Sequence, residues 1–202
     1  MSSGLLSGKS SVARAAVGLV AEPKYICAMT LPFVGDDIVN LGSGTFMWVQ
    51  LTHFLINPDQ DDQSILESLI ESPGYQHDYA SPFPSRGGSE PRAWGIHGRW
   101  RIDAIHPGLF EPSTTEAAKA EINVWANDQD WTDPEYSQPA DAIQRLETIY
   151  TLLSSGPVLK LRNPPREAEH DYGFVTGDLG FHEFIVIDRI LRTLHVIVAS
   201  DD

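Results

Sequence analysis

Apolar and polar positions along the chain fall into helical and extended periods. Asn57-Pro58-Asp59-Gln60 offers an N-cap, a proline at the first helical position and early acids favoured by the helix dipole. Ile65, Leu66, Leu69 and Ile70 then mark one apolar face through about Glu71. Ser113-Thr114-Thr115-Glu116 reads as a capping box opening a helix to about Ala126, with Ile122 and Trp125 turned inward. Pro139 begins a third helix, where Ile143, Leu146, Ile149, Tyr150 and Leu153 keep the period until Gly156-Pro157 ends it. Ser10 to Val20 is a weaker, fourth amphipathic segment.

Extended segments fill much of the remainder. Lys24 to Thr30 and Thr45 to Ile56 are apolar at both parities, as buried strands are, although the second also suits a helix. Arg92 to Ile105 alternates. Val158 to Arg162, Tyr172 to Thr176, Phe181 to Asp188 and Thr193 to Ser200 follow, the last two as a hairpin around Arg189 to Arg192. Phe184-Ile185-Val186-Ile187 and Val196-Ile197-Val198 have no polar face, which predicts central strands covered on both sides. Strands and helices mix without regular alternation. The expected class is therefore α+β: a largely antiparallel sheet, three to four helices packed mainly on one face, and the C-terminal β-hairpin central. Residues 1–22 form an arm or short helix, and 23–202 a single domain. The segment from Ser72 to Pro91, rich in Pro, Gly and Ser, is long enough to be a functional lid or a disordered loop.

Composition narrows the function. A chain of 202 residues with 42% hydrophobic content can bury a core without staples. The one cysteine, Cys27, excludes an internal disulfide and reads as a small buried hydrophobe. No apolar stretch approaches the ~20 residues of a membrane span. The N-terminus lacks a signal-peptide core, although acids are absent before Glu22, which leaves a transit peptide open. These features predict a soluble cytoplasmic protein with no membrane association. A net charge of −14 argues against nucleic acid and leaves room for a basic protein partner.

The charge is unevenly spread. From Tyr25 through Ser85 there are eight acids and no Lys or Arg. Arg86, Arg92, Arg99 and Arg101 then arrive within sixteen residues, opposed only by Glu90. On a continuous strand from Arg92 to Ile105, His97, Arg99, Arg101 and Asp103 share one face at about 7 Å spacing. Such a face can bind a carboxylate or phosphate and move a proton, so these four are the candidate catalytic residues. The competing reading is an outward strand neutralised by neighbouring acids.

Candidate binding residues are Trp131 with Asp128 and Asp130, an aromatic flanked by acids, and the acids Asp59 and Asp62. His195, inside an apolar strand and opposite Val186 for a four-residue turn, reads as a hydrogen-bonded core residue well removed from His182. His77-Asp78 and His170-Asp171 are sequence neighbours that would need further partners to act as dyads. No metal motif is present, and no cofactor is implied. Ser3 to Ser10 resembles a phosphate-binding loop but lacks the strand that must precede one, and Leu41 to Thr45 reads as a turn. Phe46, Trp48, Phe54, Trp94 and Trp100 build a core or line an aromatic pocket. The sequence thus carries two readings: a non-catalytic, acidic interaction protein of inhibitor or immunity type, and a small-molecule enzyme or binder for an anionic or aromatic ligand. The absence of a recognisable catalytic motif favours the first.

Overall fold

A computed structural model describes residues 30–41, 47–77, 79, 95–128, 135, 138–170 and 180–201. In chain order these form β1 (Phe33–Asn40), β2 (Met47–Leu55), α1 (Asp62–Ile70), β3 (Ile96–His97), β4 (Trp100–Arg101), β5 (Phe110–Ser113), α2 (Thr115–Ala126), α3 (Ala140–Leu153), β6 (Val158–Leu161), β7 (Phe181–Asp188) and β8 (Thr193–Asp201). Among the described residues the main sheet is antiparallel throughout, with order β1-β2-β8-β7-β6-β5, and β3 and β4 form a separate ribbon. The fold is α+β.

The C-terminal hairpin occupies the two middle places, and its register sets Val186 opposite His195 as a four-residue turn requires. Its lack of a polar face follows from cover on both sides. On one face Ile185, Ile187, Val196 and Val198 pack with Trp48, Phe54 and α1 through Ile65, Leu66 and Leu69. On the other, Phe184, Val186 and Ile197 pack with Ile122 and Trp125 of α2 and Leu146, Ile149 and Leu153 of α3. One helical face is thus only part of the arrangement: α2 and α3 share a face, and α1 joins the core on the opposite one. Trp48, Phe54 and Trp100 belong to that second core.

Several element ends move for identifiable reasons. Asp61, not Asn57, caps α1, accepting from the Ser64 backbone N–H at 2.9 Å. The Pro58 and Gln60 carbonyls that an earlier start would engage accept instead from Arg189. Thr114, not Ser113, caps α2, because Ser113 is held in the β5–β6 ladder opposite Val158. Ile143, expected inward, is exposed on α3. The Ser72 end of the expected long loop tightens into a 3-10 turn at Pro73–Tyr75. Residues 10–20, 24–29, 46, 94 and 172–176, together with most of the loop to Pro91, lie outside the described residues.

The largest correction concerns Arg92 to Ile105. It is not one strand. The chain reverses at Gly98-Arg99, pairing His97 with Trp100 and Ile96 with Arg101, and then winds into a 3-10 turn at Ile102–Ala104. Gly98 takes a φ of 55°, and a Cβ there would lie 2.5 Å from the Phe181 ring, so the reversal requires glycine.

Candidate functional site

The reversal separates the four candidate catalytic residues. His97 is fully buried, stacked on Tyr75 at 3.7 Å, with Nε2 2.7 Å from Oε2 of Glu183. Arg99 donates to Glu169 at 3.4 Å. Arg101 pairs with Asp103 at 3.4 Å and donates to the carbonyls of Glu167 and Glu169. The expected shared face does not form, and the arginines are neutralised by neighbouring acids.

What forms instead around His97 is a sealed polar knot. The Tyr75 carbonyl can only accept, so His97 Nδ1 carries a proton and donates to it. The Tyr75 hydroxyl donates to Glu183 Oε1 at 2.8 Å. One further proton is shared between His97 Nε2 and the Glu183 carboxyl. Burial, and then the charge of Glu183, push the Tyr75 hydroxyl well above its ordinary pKa, so it stays protonated. Every polar atom of the knot has a partner, and none reaches solvent. It ties Tyr75 and the β3–β4 ribbon to a central strand.

His195 is the hydrogen-bonded residue expected, and its partner lies across the β2–β8 ladder. His53 and His195 sit opposite each other with Nδ1 atoms 2.7 Å apart. Desolvation, then the neighbouring His53, lowers the His195 pKa to about 4, and desolvation also lowers that of His53 against the pull of Asp37. Among the described residues no three His, Cys, Asp or Glu side chains converge as a metal site.

The acidic candidates disperse. Asp62 is bound to Arg189 at 2.5 Å, whereas Asp59 and Asp128 are exposed in separate connections, one before α1 and the other after α2. Asp130 and Trp131 lie outside the described residues, as do Asp78 and Asp171 of the two His-Asp pairs. His77 Nδ1 accepts from the Tyr79 backbone N–H, and His170 Nε2 donates to the Gly98 carbonyl.

An accessible cluster of acid–base groups forms elsewhere, where α2 crosses the ends of β6 and β7. His182 shares the parity of Phe184 and Val186, and Lys160 that of Val158, so both follow core rows towards the α2–α3 side. Glu121, beside buried Ile122 on α2, meets them. Its Oε1 accepts from His182 Nδ1 at 2.7 Å and its Oε2 from Lys160 Nζ at 2.6 Å. The hydrogen bond from His182, strengthened by Lys160, holds the Glu121 carboxyl below the usual carboxylate range despite its partial burial. These residues line a cleft of about 480 Å³ together with Asn163 and the Glu111–Arg162 pair, whose separation is 3.3 Å.

A carboxylate bound to Nδ1 fixes the neutral imidazole as the Nδ1–H tautomer and makes Nε2 its basic nitrogen. Glu121 and Lys160 escaped sequence reasoning because they stand 61 and 22 residues from His182. A usable signal existed: His182 and Lys160 each occupy the polar end of an otherwise core-facing row. Comparison with protein-family models, curated proteins and solved structures gives no match, so the chemistry of this cleft rests on the chain's own geometry.

Proposed function

We propose that the chain binds a small polar molecule bearing a carboxylate or phosphate in the cleft between α2 and the β5–β6–β7 ends, with His182 as the proton-exchanging group. The observation that carries this reading is the Glu121 carboxylate bridging His182 Nδ1 and Lys160 Nζ on the cleft wall. Its volume suits a small ligand. The two acid–cation pairs, Glu121–Lys160 and Glu111–Arg162, cancel. Protonating His182 adds a positive charge beside these pairs, which an anionic group can meet. Arg162 supplies a planar fork and Asn163 an amide donor.

Titration with inorganic phosphate and with citrate, followed by His side-chain NMR, tests the proposal. The His182 resonances should shift with saturation, and His182→Gln should weaken binding by about tenfold, as loss of a charge-assisted partner does. Saturable binding that leaves His182 unmoved, or no binding at millimolar anion, rejects it.

A further inference from the structure

The two acid–cation pairs on the cleft wall are not alike. Glu121 is gripped from both sides, by His182 Nδ1 at 2.7 Å and Lys160 Nζ at 2.6 Å, and is the more buried of the two acids. Glu111 and Arg162 stand further out, with side chains 61% and 60% exposed, and meet through Arg162 Nε at 3.3 Å. Among the described residues this is the one polar contact of either side chain. It uses one edge of the guanidinium. Both terminal nitrogens, and most of the carboxylate's lone pairs, are left for a ligand.

Strand register places these groups. Glu111 on β5 lies directly opposite Lys160 on β6, and Lys160 opposite Phe184 on β7. The same register, carried two residues on, brings Arg162 level with His182, so Arg162 stands between His182 and Glu111. An anion that docks on Arg162 therefore also meets the Glu111 carboxylate, and that repulsion cancels part of the attraction.

A ligand that carries a cation beside its anion removes the conflict. Its carboxylate takes the open end of Arg162 and its ammonium takes Glu111, so that charges alternate in sign around a closed set. Glu111, Glu121, Lys160 and Arg162 together carry no net charge, which suits a ligand that carries none. The chain's net charge of −14 acts in the same direction, because it repels a simple anion over long range and leaves a zwitterion unaffected. Spacing narrows the class further. Glu111 and Arg162 are in direct contact, and only a ligand whose two charges are equally close can engage both at once. An α-amino acid, with one carbon between ammonium and carboxylate, has that spacing.

We infer that the cleft takes a zwitterion of the α-amino acid type, with its carboxylate on Arg162 beside His182 and its ammonium on Glu111. The inference rests on the anion-binding reading of the same cleft and narrows it.

The test uses the full chain and alanine, propionate and 4-aminobutyrate, titrated through the millimolar range and followed by amide and side-chain NMR. Propionate lacks the ammonium, and 4-aminobutyrate holds it on a longer chain. Alanine and 4-aminobutyrate share zero net charge, so the long-range field does not separate them. Alanine should bind about tenfold more tightly than propionate, the effect of one charge-assisted contact, and several-fold more tightly than 4-aminobutyrate. Glu111→Gln should bring alanine to within about threefold of propionate. Glu147→Gln makes the same change of net charge on α3 and should leave the preference intact. Both acids are exposed, so neither change disturbs the core. Arg162→Gln should weaken alanine and propionate alike. Propionate that shifts His182 and binds as tightly as alanine overturns the inference while anion binding stands. A preference for alanine that survives Glu111→Gln also overturns it. So does the lack of a saturable shift with any of the three, and phosphate and citrate then decide the broader reading separately.

Discussion

The polar knot around Glu183 permits a sharp prediction, because its proton count is known. Glu183→Ala leaves the Tyr75 hydroxyl and His97 Nε2 without partners in a site sealed from water. Each unpaired group costs about 1–3 kcal/mol, and the space left by the side chain adds to that. A loss of about 4 kcal/mol is expected, a large share of the ~5–15 kcal/mol that holds a domain together. Glu183→Gln behaves differently. Its amide oxygen can accept from Tyr75 while its NH₂ donates to Nε2 of a neutral His97 whose Nδ1–H still meets the Tyr75 carbonyl. All partners are preserved, so the cost should stay within about 1 kcal/mol. Urea unfolding, followed in parallel by circular dichroism and tryptophan fluorescence, measures both variants. A Gln variant as unstable as Ala would show that the knot needs a full negative charge on Glu183. An Ala variant within about 1 kcal/mol of the wild type would mean that water enters the site and that the accounting fails.

Other consequences follow from the same geometry. His195 titrates near 4 in the folded chain and at an ordinary 6.5 when unfolded, so the unfolded state takes the proton first; stability is full above pH 6.5 and falls as pH drops towards 4. The gap bounds the loss at about 3 kcal/mol, less any solvent screening of the pair, and His195→Gln should flatten denaturant midpoints across that window. Gly98→Ala combines a positive φ with a Cβ set against Phe181 and should cost about 2–4 kcal/mol in thermal or denaturant unfolding. Asp61→Ala removes the α1 cap and should lower the urea midpoint at neutral pH; the lowered carboxyl pKa of Asp61, caused by the Ser64 hydrogen bonds, predicts that this difference shrinks in acid as the carboxyl protonates.

Much of the fold was legible in local pattern. Runs without a polar face identified β7 and β8 as doubly covered central strands. A four-residue turn was enough to set Val186 against His195. The inward residues of α2 and most of those of α3 were readable from a 3.6-residue period. Such inferences need only the covalent chain, because side-chain direction repeats with backbone geometry. β1 and β5 were not anticipated: the Gly35-Asp36-Asp37 stretch and Pro112 obscure any alternation, and pairing with β2 and β6 is what extends them.

The candidate sites were another matter. Alternation from Arg92 to Ile105 suggested one strand carrying four ionisable groups, yet Phe181, 83 residues further on, fills the space in which only Gly98 allows the chain to turn back. His97 then finds Glu183, His195 finds His53, and His182 finds Glu121, at separations of 86, 142 and 61 residues. A charged side chain carries no local mark of its partner. Sequence determined which residues turn inward on most elements; only the tertiary structure decided which polar groups meet. Desolvation makes an unpaired buried charge too costly, but any complementary group on any neighbouring element can satisfy it.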